Sequence, residues 1–310
     1  MGYMSLRVCV LKGGSSAERE ISLKSGEFIE EALQKLGYST FSVDLERPER
    51  ICLLLKNKVD VVFIALHGPG GEDGTVQGVL EIFDIPYTGS GVLASALAMD
   101  KKNTRKVWKA EGLKQPVYQI IEGNSLSNIK LEISPPLIVK PGRSGSTLGV
   151  SLVREKKELE NALKEAFRYD GDYVILEEYI EGKELTVGII DDPEPVALPV
   201  IEISPEGVIY DYKTKYTEGE CKYKVPAALP QAEYKKVQEV ALKAYKSLGC
   251  RDFGRVDMIW REGEIYLLEV NTIPGMTRMS LLPRAAKAKG MEFHHLVDKI
   301  VKQALRRKQN

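Results

Sequence analysis

The sequence predicts an α/β protein, doubly wound and parallel in its first third and α+β in the parts beyond it. Two observations carry this prediction. Short apolar strands alternate with helical stretches in the first third, and the third strand, residues 59–66, is almost wholly apolar, which marks a strand covered on both faces. From residue 137 onward the texture changes to short strands joined by glycine-rich or polar loops.

Residues 6–11 read as the first strand and run into Gly13-Gly14. Ser15-Ser16-Ala17-Glu18 has the Ser-x-x-Glu spacing of a capping box, so a helix is predicted from there to Leu36, stopped by Gly37. Residues 40–43 form a second strand. The third ends in His67-Gly68-Pro69-Gly70-Gly71, a loop at a strand's carboxyl end, where doubly wound sheets bind ligands. Residues 137–140 and 150–153 read as a hairpin tipped by the small-residue loop Pro141 to Gly149, followed by a helix over 155–167 and a strand over 173–178. Strands are predicted at 184–190 and 196–203, then a polar, Tyr- and Lys-rich stretch at 204–225. Val237, Val240, Ala241, Ala244, Tyr245 and Leu248 recur at helical spacing up to Gly249, and strands at 255–260 and 264–270 follow.

Composition narrows the function. The chain has 310 residues, 43% hydrophobic and 28% charged, a globular balance long enough for two or three domains. Its 44 Lys and Arg are matched by 44 Asp and Glu, which speaks against a nucleic-acid partner. The longest apolar runs, 59–66 and 135–139, are too short to span a membrane. No basic stretch with an apolar core opens the chain, so no signal peptide is expected. Cys9, Cys52, Cys221 and Cys250 lack metal-like spacing and read as free thiols of a reducing cytoplasm.

Three groups of residues could carry chemistry. In the strand at 264–270 and just after it, Glu269 and Asn271 point to one side, and Asp257 lies on the preceding strand; two carboxylates and an amide oxygen suit Mg²⁺. The plainer alternative is a solvated polar face. Lys140 and the loop from Pro141 to Gly149 could cradle phosphates, with Arg143 adding charge, although this is no Walker loop and glycine hairpins are often just turns. Lys101 alone would be a surface lysine, Glu18 a capping-box residue, and His67 a turn residue; His294 and His295 read as surface residues.

Taken together, the motifs resemble the ATP-grasp superfamily and, within it, the D-alanine–D-alanine ligase family. The resemblance runs from about Leu6 to the last helix. It rests on Gly13 to Glu20, Ala65 to Gly68, Gly70 to Gly78, Pro86 to Gly91, Met99-Asp100-Lys101, Gly254 to Asp257 and Leu268 to Thr277, in that order. It implies a three-domain ATP-grasp architecture. Residues 1–98 would form the doubly wound substrate domain and 99–182 the central lid domain. Residues 183–310 would form the catalytic domain, with a mobile loop at 204–225, and the last two domains would clasp ATP.

The same resemblance assigns roles. Lys101 and Lys140 resemble the lysines that hold ATP phosphates, under a lid of Ser144, Gly145 and Ser146. Glu177, Glu178, Tyr179 and Ile180 resemble the hinge whose backbone reads adenine, and Glu184 the carboxylate that binds ribose. Asp257, Glu269 and Asn271 match the ligands of two Mg²⁺, with Mn²⁺ as a substitute. Arg255 and the Gly275 N–H resemble donors to oxyanion charge. Glu18 and His67 resemble contacts to the first D-alanine, and Ser280 and Leu281 contacts to the second. In the mobile loop, Lys215 would reach the γ-phosphate, and Tyr216 would close a set with Ser146 and Glu18. The implied enzyme is an acid–amino acid ligase of peptidoglycan precursor synthesis, a cytoplasmic homodimer with no nucleic-acid or membrane partner. Its reaction would pass through an acyl phosphate, which needs water excluded. Two rivals remain: a ligase taking D-lactate or D-serine as second substrate, against which Tyr216 stands, and a non-catalytic nucleotide sensor, against which the intact Asp257, Glu269, Asn271 set and both lysines stand.

Overall fold

Three sheets organise the chain, seen in a computed structural model that describes residues 6–123, 129–145, 147–205 and 221–307. The first is parallel. Strand β1 (Arg7–Lys12) lies between β2 (Ser39–Asp44) and β3 (Val61–Ile64), and Tyr87 adds one parallel bridge to Val62. Successive residues of β1 feed opposite cores, as strand alternation requires. Val8 and Val10 pack with Ile29 and Leu33 of helix α1 (Arg19–Lys35); Cys9 and Leu11 pack with Leu54 of α2 (Leu53–Asn57) and with Val76 and Leu80 of α3 (Thr75–Ile82). The sheet is therefore covered by helices on both faces, as the apolar third strand predicted.

The predicted capping box does not form. Helix α1 begins at Arg19, and its N-cap residue Glu18 makes no side-chain capping bond. Ser16 instead donates to the His67 carbonyl (2.7 Å) and accepts from the Glu18 N–H (3.2 Å). The box spacing put the N-cap at Ser15, three residues too early, and the neighbouring Ser16 ties this segment to the loop after the third strand. The helix does end as predicted, with Gly37 at φ 82° and the Tyr38 N–H returning to the Leu33 carbonyl.

Two helices absent from the sequence reading, α4 (Val92–Met99) and α5 (Lys101–Ala110), lead out of this unit. The second sheet is antiparallel, in the order β4-β7-β5-β6, from β4 (Tyr118–Glu122), β5 (Leu137–Pro141), β6 (Ser151–Val153) and β7 (Tyr173–Glu178). Helix α6 (Leu159–Tyr169) covers it. Strands β5 and β6 form the predicted hairpin with the glycine loop at its tip. β4 was not predicted: of its five residues only Ile121 is buried, so it lacks an alternating signal.

The third sheet is antiparallel, in the order β11-β10-β8-β12-β13, with β9 paired to β8. Its strands are β8 (Lys183–Asp191), β9 (Pro195–Ala197), β10 (Ile201–Pro205), β11 (Cys221–Lys224), β12 (Phe253–Arg261) and β13 (Glu264–Asn271). The single strand predicted at 196–203 is thus two, interrupted around Pro199, which has no N–H to donate to a ladder. Helix α7 (Gln231–Ser247) packs through Val237, Ala241, Ala244 and Tyr245 against one face of this sheet. Helix α8 (Leu281–Ala288) covers the other face, and the last helix, α9 (Phe293–Arg307), places Leu296, Val297, Ile300 and Val301 in the core shared with α1. Among the described residues no helix is long and apolar enough to cross a membrane.

Candidate active site

The second and third sheets border a cleft of about 380 Å³, within the range of small-ligand sites. Ten of the residues singled out from sequence line it: Lys101, Lys140, Ser144, Glu177, Glu178, Tyr179, Ile180, Glu184, Asp257 and Glu269. They come from α5, β5, the glycine loop, the β7–β8 junction, β12 and β13, elements up to 168 positions apart by subtraction of 101 from 269.

The acidic wall is set by strand register. On β12, Asp257 pairs with Glu269 of β13 and Arg255 pairs with Asn271, so the four form one square patch. A register shift next to Asp257 leaves Leu268 as an extra residue, and both Leu268 and Glu269 reach the cleft. Asp257 is held from two sides. Arg255 Nε and Nη2 donate to its two oxygens at 2.9 and 2.7 Å, and the Thr186 hydroxyl of neighbouring β8 donates at 2.6 Å. Thr186 was not picked out from sequence, although it shares a strand face with Glu184 by period two.

Among the described residues no three His, Cys, Asp or Glu side chains cluster as a metal site. The donor set here is two carboxylates and the Asn271 amide oxygen, which already accepts from the Ile273 N–H at 3.0 Å and keeps acceptor capacity. Hard oxygen donors of this number suit Mg²⁺, which fills its remaining positions with water and phosphate oxygens. The residues therefore fit the ion.

The basic wall faces the acidic one. Lys101 Nζ donates to the Ser144 carbonyl at 2.6 Å and lies 3.7 Å from Glu269 Oε2. Lys140 Nζ donates to Glu177 Oε1 at 2.6 Å, while Arg105 of α5 takes Oε2. All three side chains are buried. Burial alone would raise the Glu177 carboxyl, but its two cations outweigh that and hold it below the ordinary value. Burial pushes Lys140 down to about 8; Glu177 opposes the shift, and Arg105 and Lys101 add repulsion. One carboxylate cannot neutralise two cations, and a guanidinium does not yield its proton, so the lysine bears the cost. Arg105 escaped the sequence reading, although it lies four residues after Lys101 on one helix face. Arg143 is a correction. It leaves the phosphate loop, stacks over Tyr173 at 5.5 Å and pairs with Asp172.

Glu178 and Tyr179 donate their N–H groups to the carbonyls of Val117 and Pro136, so those two positions offer a base no main-chain donor. At the far end, Glu18 is buried at the start of α1, with its carboxylate between two glycines. A Cβ at Gly68 or Gly145 would come within 3.0 or 2.9 Å of Glu18 Oε2. His67 is also buried: its Nδ1 lies 3.8 Å from Glu72, and its Nε2 lies 3.4 Å from the Ser25 hydroxyl, which accepts from the Met276 N–H at 3.1 Å. Burial disfavours the imidazolium, but Glu72 and Glu18 more than offset it, and the net shift is upward. Beside this network, a Cβ on Gly275 would meet the Ser280 hydroxyl at 2.9 Å, and that hydroxyl accepts from the Thr277 N–H at 3.0 Å. Leu281 is packed into the core with Met276 and Leu282. Ser146, Lys215 and Tyr216 lie outside the described residues.

A doubly wound unit joined to two α+β units, with lysines and strand-borne carboxylates facing each other across the cleft between them, defines an ATP-grasp enzyme. Residues 107–302 match the family model described as D-ala D-ala ligase C-terminus, and residues 52–90 match D-ala D-ala ligase N-terminus. The chain is 48% identical over 303 residues to the D-alanine–D-alanine ligase of Syntrophotalea carbinolica, covering 97% of each. It is 46% identical over 299 residues to that of Aquifex aeolicus, covering 96% of this chain and 100% of the relative. The structure also superposes on the D-alanine–D-alanine ligase from Bacillus anthracis complexed with ATP, with a TM-score of 0.85, 34% identity and coverage of 98% and 99%. The chain belongs to the D-alanine–D-alanine ligase family and is a ligase.

Proposed function

We infer that this chain joins two D-alanine molecules into D-alanyl-D-alanine with ATP, through an acyl phosphate, and that the cleft described above carries the reaction. The observation that supports the reading most is the convergence of Lys101 on both the glycine loop and Glu269, which puts a cation between a phosphate cradle and a carboxylate wall. In this reading Lys101, Lys140, Ser144 and Gly145 hold the phosphates, with Ser146 and Lys215 completing the set. Glu184 takes the ribose, and the segment Glu177 to Ile180 takes the adenine. Asp257, Glu269 and Asn271 would hold Mg²⁺, which when bound offsets the charge of the triphosphate and of the attacking carboxylate. Residues 1–98, 99–182 and 183–310 act as the three units, and the enzyme works as a cytoplasmic homodimer.

Glu18 and His67 position the first D-alanine so that a carboxylate oxygen attacks the γ-phosphorus and ADP leaves. The amine of the second D-alanine, held beside Ser280 and the main chain of Leu281, then attacks the acyl carbonyl. Arg255 and the Gly275 N–H donate to the oxyanion; the carbon–oxygen bond to phosphate breaks, and the proton lost by the amine leaves on the released phosphate. Tyr216 closes the site over these groups.

The assignment is checked by phosphate release with D-alanine alone, L-alanine alone, and D-alanine plus D-lactate, with products identified by mass. A dipeptide mass from D-alanine alone is the expected result. An ester product, or phosphate only with D-lactate present, would move the chain to the depsipeptide reaction.

A second expectation concerns protons. A bound triphosphate favours the Lys140 ammonium and so raises its pKa above the free value of about 8. ATP affinity should therefore be full below about pH 8 and fall above it, with a proton taken up on binding as the pH rises past that value. Calorimetry in two buffers of different ionisation enthalpy reads that uptake directly; equal heats at pH 8.5 in both buffers would refute it.

A further inference from the structure

We propose that Arg105 is a positioning residue for ATP: by occupying one oxygen of Glu177 it keeps that carboxylate shared, so that Lys140 remains available to the phosphates instead of being neutralised by its neighbour. The inference deepens the reading above and rests on Lys140 as a phosphate ligand.

The geometry is specific. Lys140 and Glu177 lie on the adjacent strands β5 and β7, and the lysine Nζ meets Oε1 at 2.6 Å. Arg105 approaches from α5 and takes Oε2, so each carboxylate oxygen has one cation. Arg105 is 1% exposed and anchored by two further contacts, its Nη1 to Gln115 Oε1 at 3.3 Å and its guanidinium over the Tyr118 ring at 4.9 Å. It sits one helical turn from Lys101, so the helix that presents one phosphate lysine also restrains the partner of the other. The charged groups facing Lys140 are Glu177 on β7, Arg105 and Lys101 on α5, and Asp257 and Glu269 across the cleft on β12 and β13. Without Arg105, Glu177 and Lys140 would form a closed, one-to-one buried pair that an incoming phosphate must break.

The test is kcat/KM for ATP against pH, at saturating D-alanine and Mg²⁺, in Arg105→Met, Arg105→Gln, Arg105→Lys, Glu177→Gln and Lys140→Met. Arg105→Met should raise KM for ATP roughly tenfold, about the worth of one charge-assisted hydrogen bond, with kcat changed less. It should also move the alkaline fall in kcat/KM to higher pH, because the repulsion at Lys140 is gone. Arg105→Lys should restore both. Glu177→Gln should move the same limb to lower pH, because Lys140 loses its counter-ion. Arg105→Met leaves Glu177 Oε2 and Gln115 Oε1 without their guanidinium donor, so should it fail to fold, Arg105→Gln answers the question with a neutral donor. An unmoved limb in a folded Arg105→Met or Arg105→Gln protein, while Lys140→Met abolishes the limb, overturns the proposal and leaves the reading of Lys140 intact. A limb that survives in Lys140→Met overturns the phosphate role of Lys140 itself.

Discussion

Replacing Arg255 by Ala should lower kcat by about 10²–10³, the cost measured for removing one oxyanion donor, which corresponds to about 3–4 kcal/mol in the barrier. KM for either D-alanine should move less, because the lost interaction strengthens only as charge develops on the acyl oxygen. Arg255 also grips Asp257 through two hydrogen bonds of 2.9 and 2.7 Å, so its loss could act through the carboxylate wall instead. Mg²⁺ titration separates the two routes. If the loss runs through a misplaced Asp257, saturating metal restores most of the rate; if it runs through the oxyanion, saturating metal changes little. Asp257 keeps its bond from Thr186 in either case, so the fold should survive. Arg255→Lys retains the charge but not the planar fork, and should recover only part of the loss. Near-normal turnover by folded Arg255→Ala would remove this residue from the mechanism.

Gly142→Ala should destabilise the protein by about 1–3 kcal/mol, as overpacking does, and lower the thermal midpoint by roughly 2–4 °C for each kcal/mol. A Cβ there would fall 2.1 Å from Tyr173 Cε2 and 2.2 Å from Cζ. The ring is rigid, and its hydroxyl is pinned between Asp100 (donating, 2.8 Å) and the Lys102 N–H (accepting, 3.3 Å). The glycine cannot retreat either: its N–H donates to the Tyr173 carbonyl at 3.2 Å, and its carbonyl accepts from the Lys101 N–H at 3.1 Å. Displacing this segment shifts Lys101 and Ser144 together, so KM for ATP should rise as stability falls. A double-mutant cycle decides the cause: in a Tyr173→Ala background the added methyl should cost little. An equal loss of stability in both backgrounds would show that the ring is not what it meets.

Much of the site was legible because it depends on periodicity and local chemistry. Strand parity put Glu269 and Asn271 on one side and Asp257 on the preceding strand, while the register that sets Asp257 opposite Glu269, beside a shift that leaves Leu268 extra, was not in that parity. The glycine hairpin was legible because small residues between two short apolar strands have few other uses. What escaped was set by partners distant in sequence. Arg105 meets Glu177 across 72 positions and alone reads as an ordinary charged residue; Lys140 and Glu177 were both legible, but their pairing across 37 positions was not. The Ser15-x-x-Glu18 spacing did not mark the helix start, because α1 begins at Arg19 and the loop before it is tied instead by Ser16 to the His67 carbonyl.

The sequence by itself determined which face of each element is apolar and where the glycine turns fall, because these follow from side-chain period and backbone sterics within a few residues. Only the tertiary structure decided which strands lie side by side: β8 between β10 and β12, bringing Thr186 to Asp257, and α9 returning to the core of the first sheet. Periodicity says which side of an element turns inward, but it carries no record of what will cover that side. That choice falls to long-range packing, which also brings Lys140 and Arg105 onto the two oxygens of Glu177; a carboxylate is tolerable in that buried place only because each of its oxygens meets a cation.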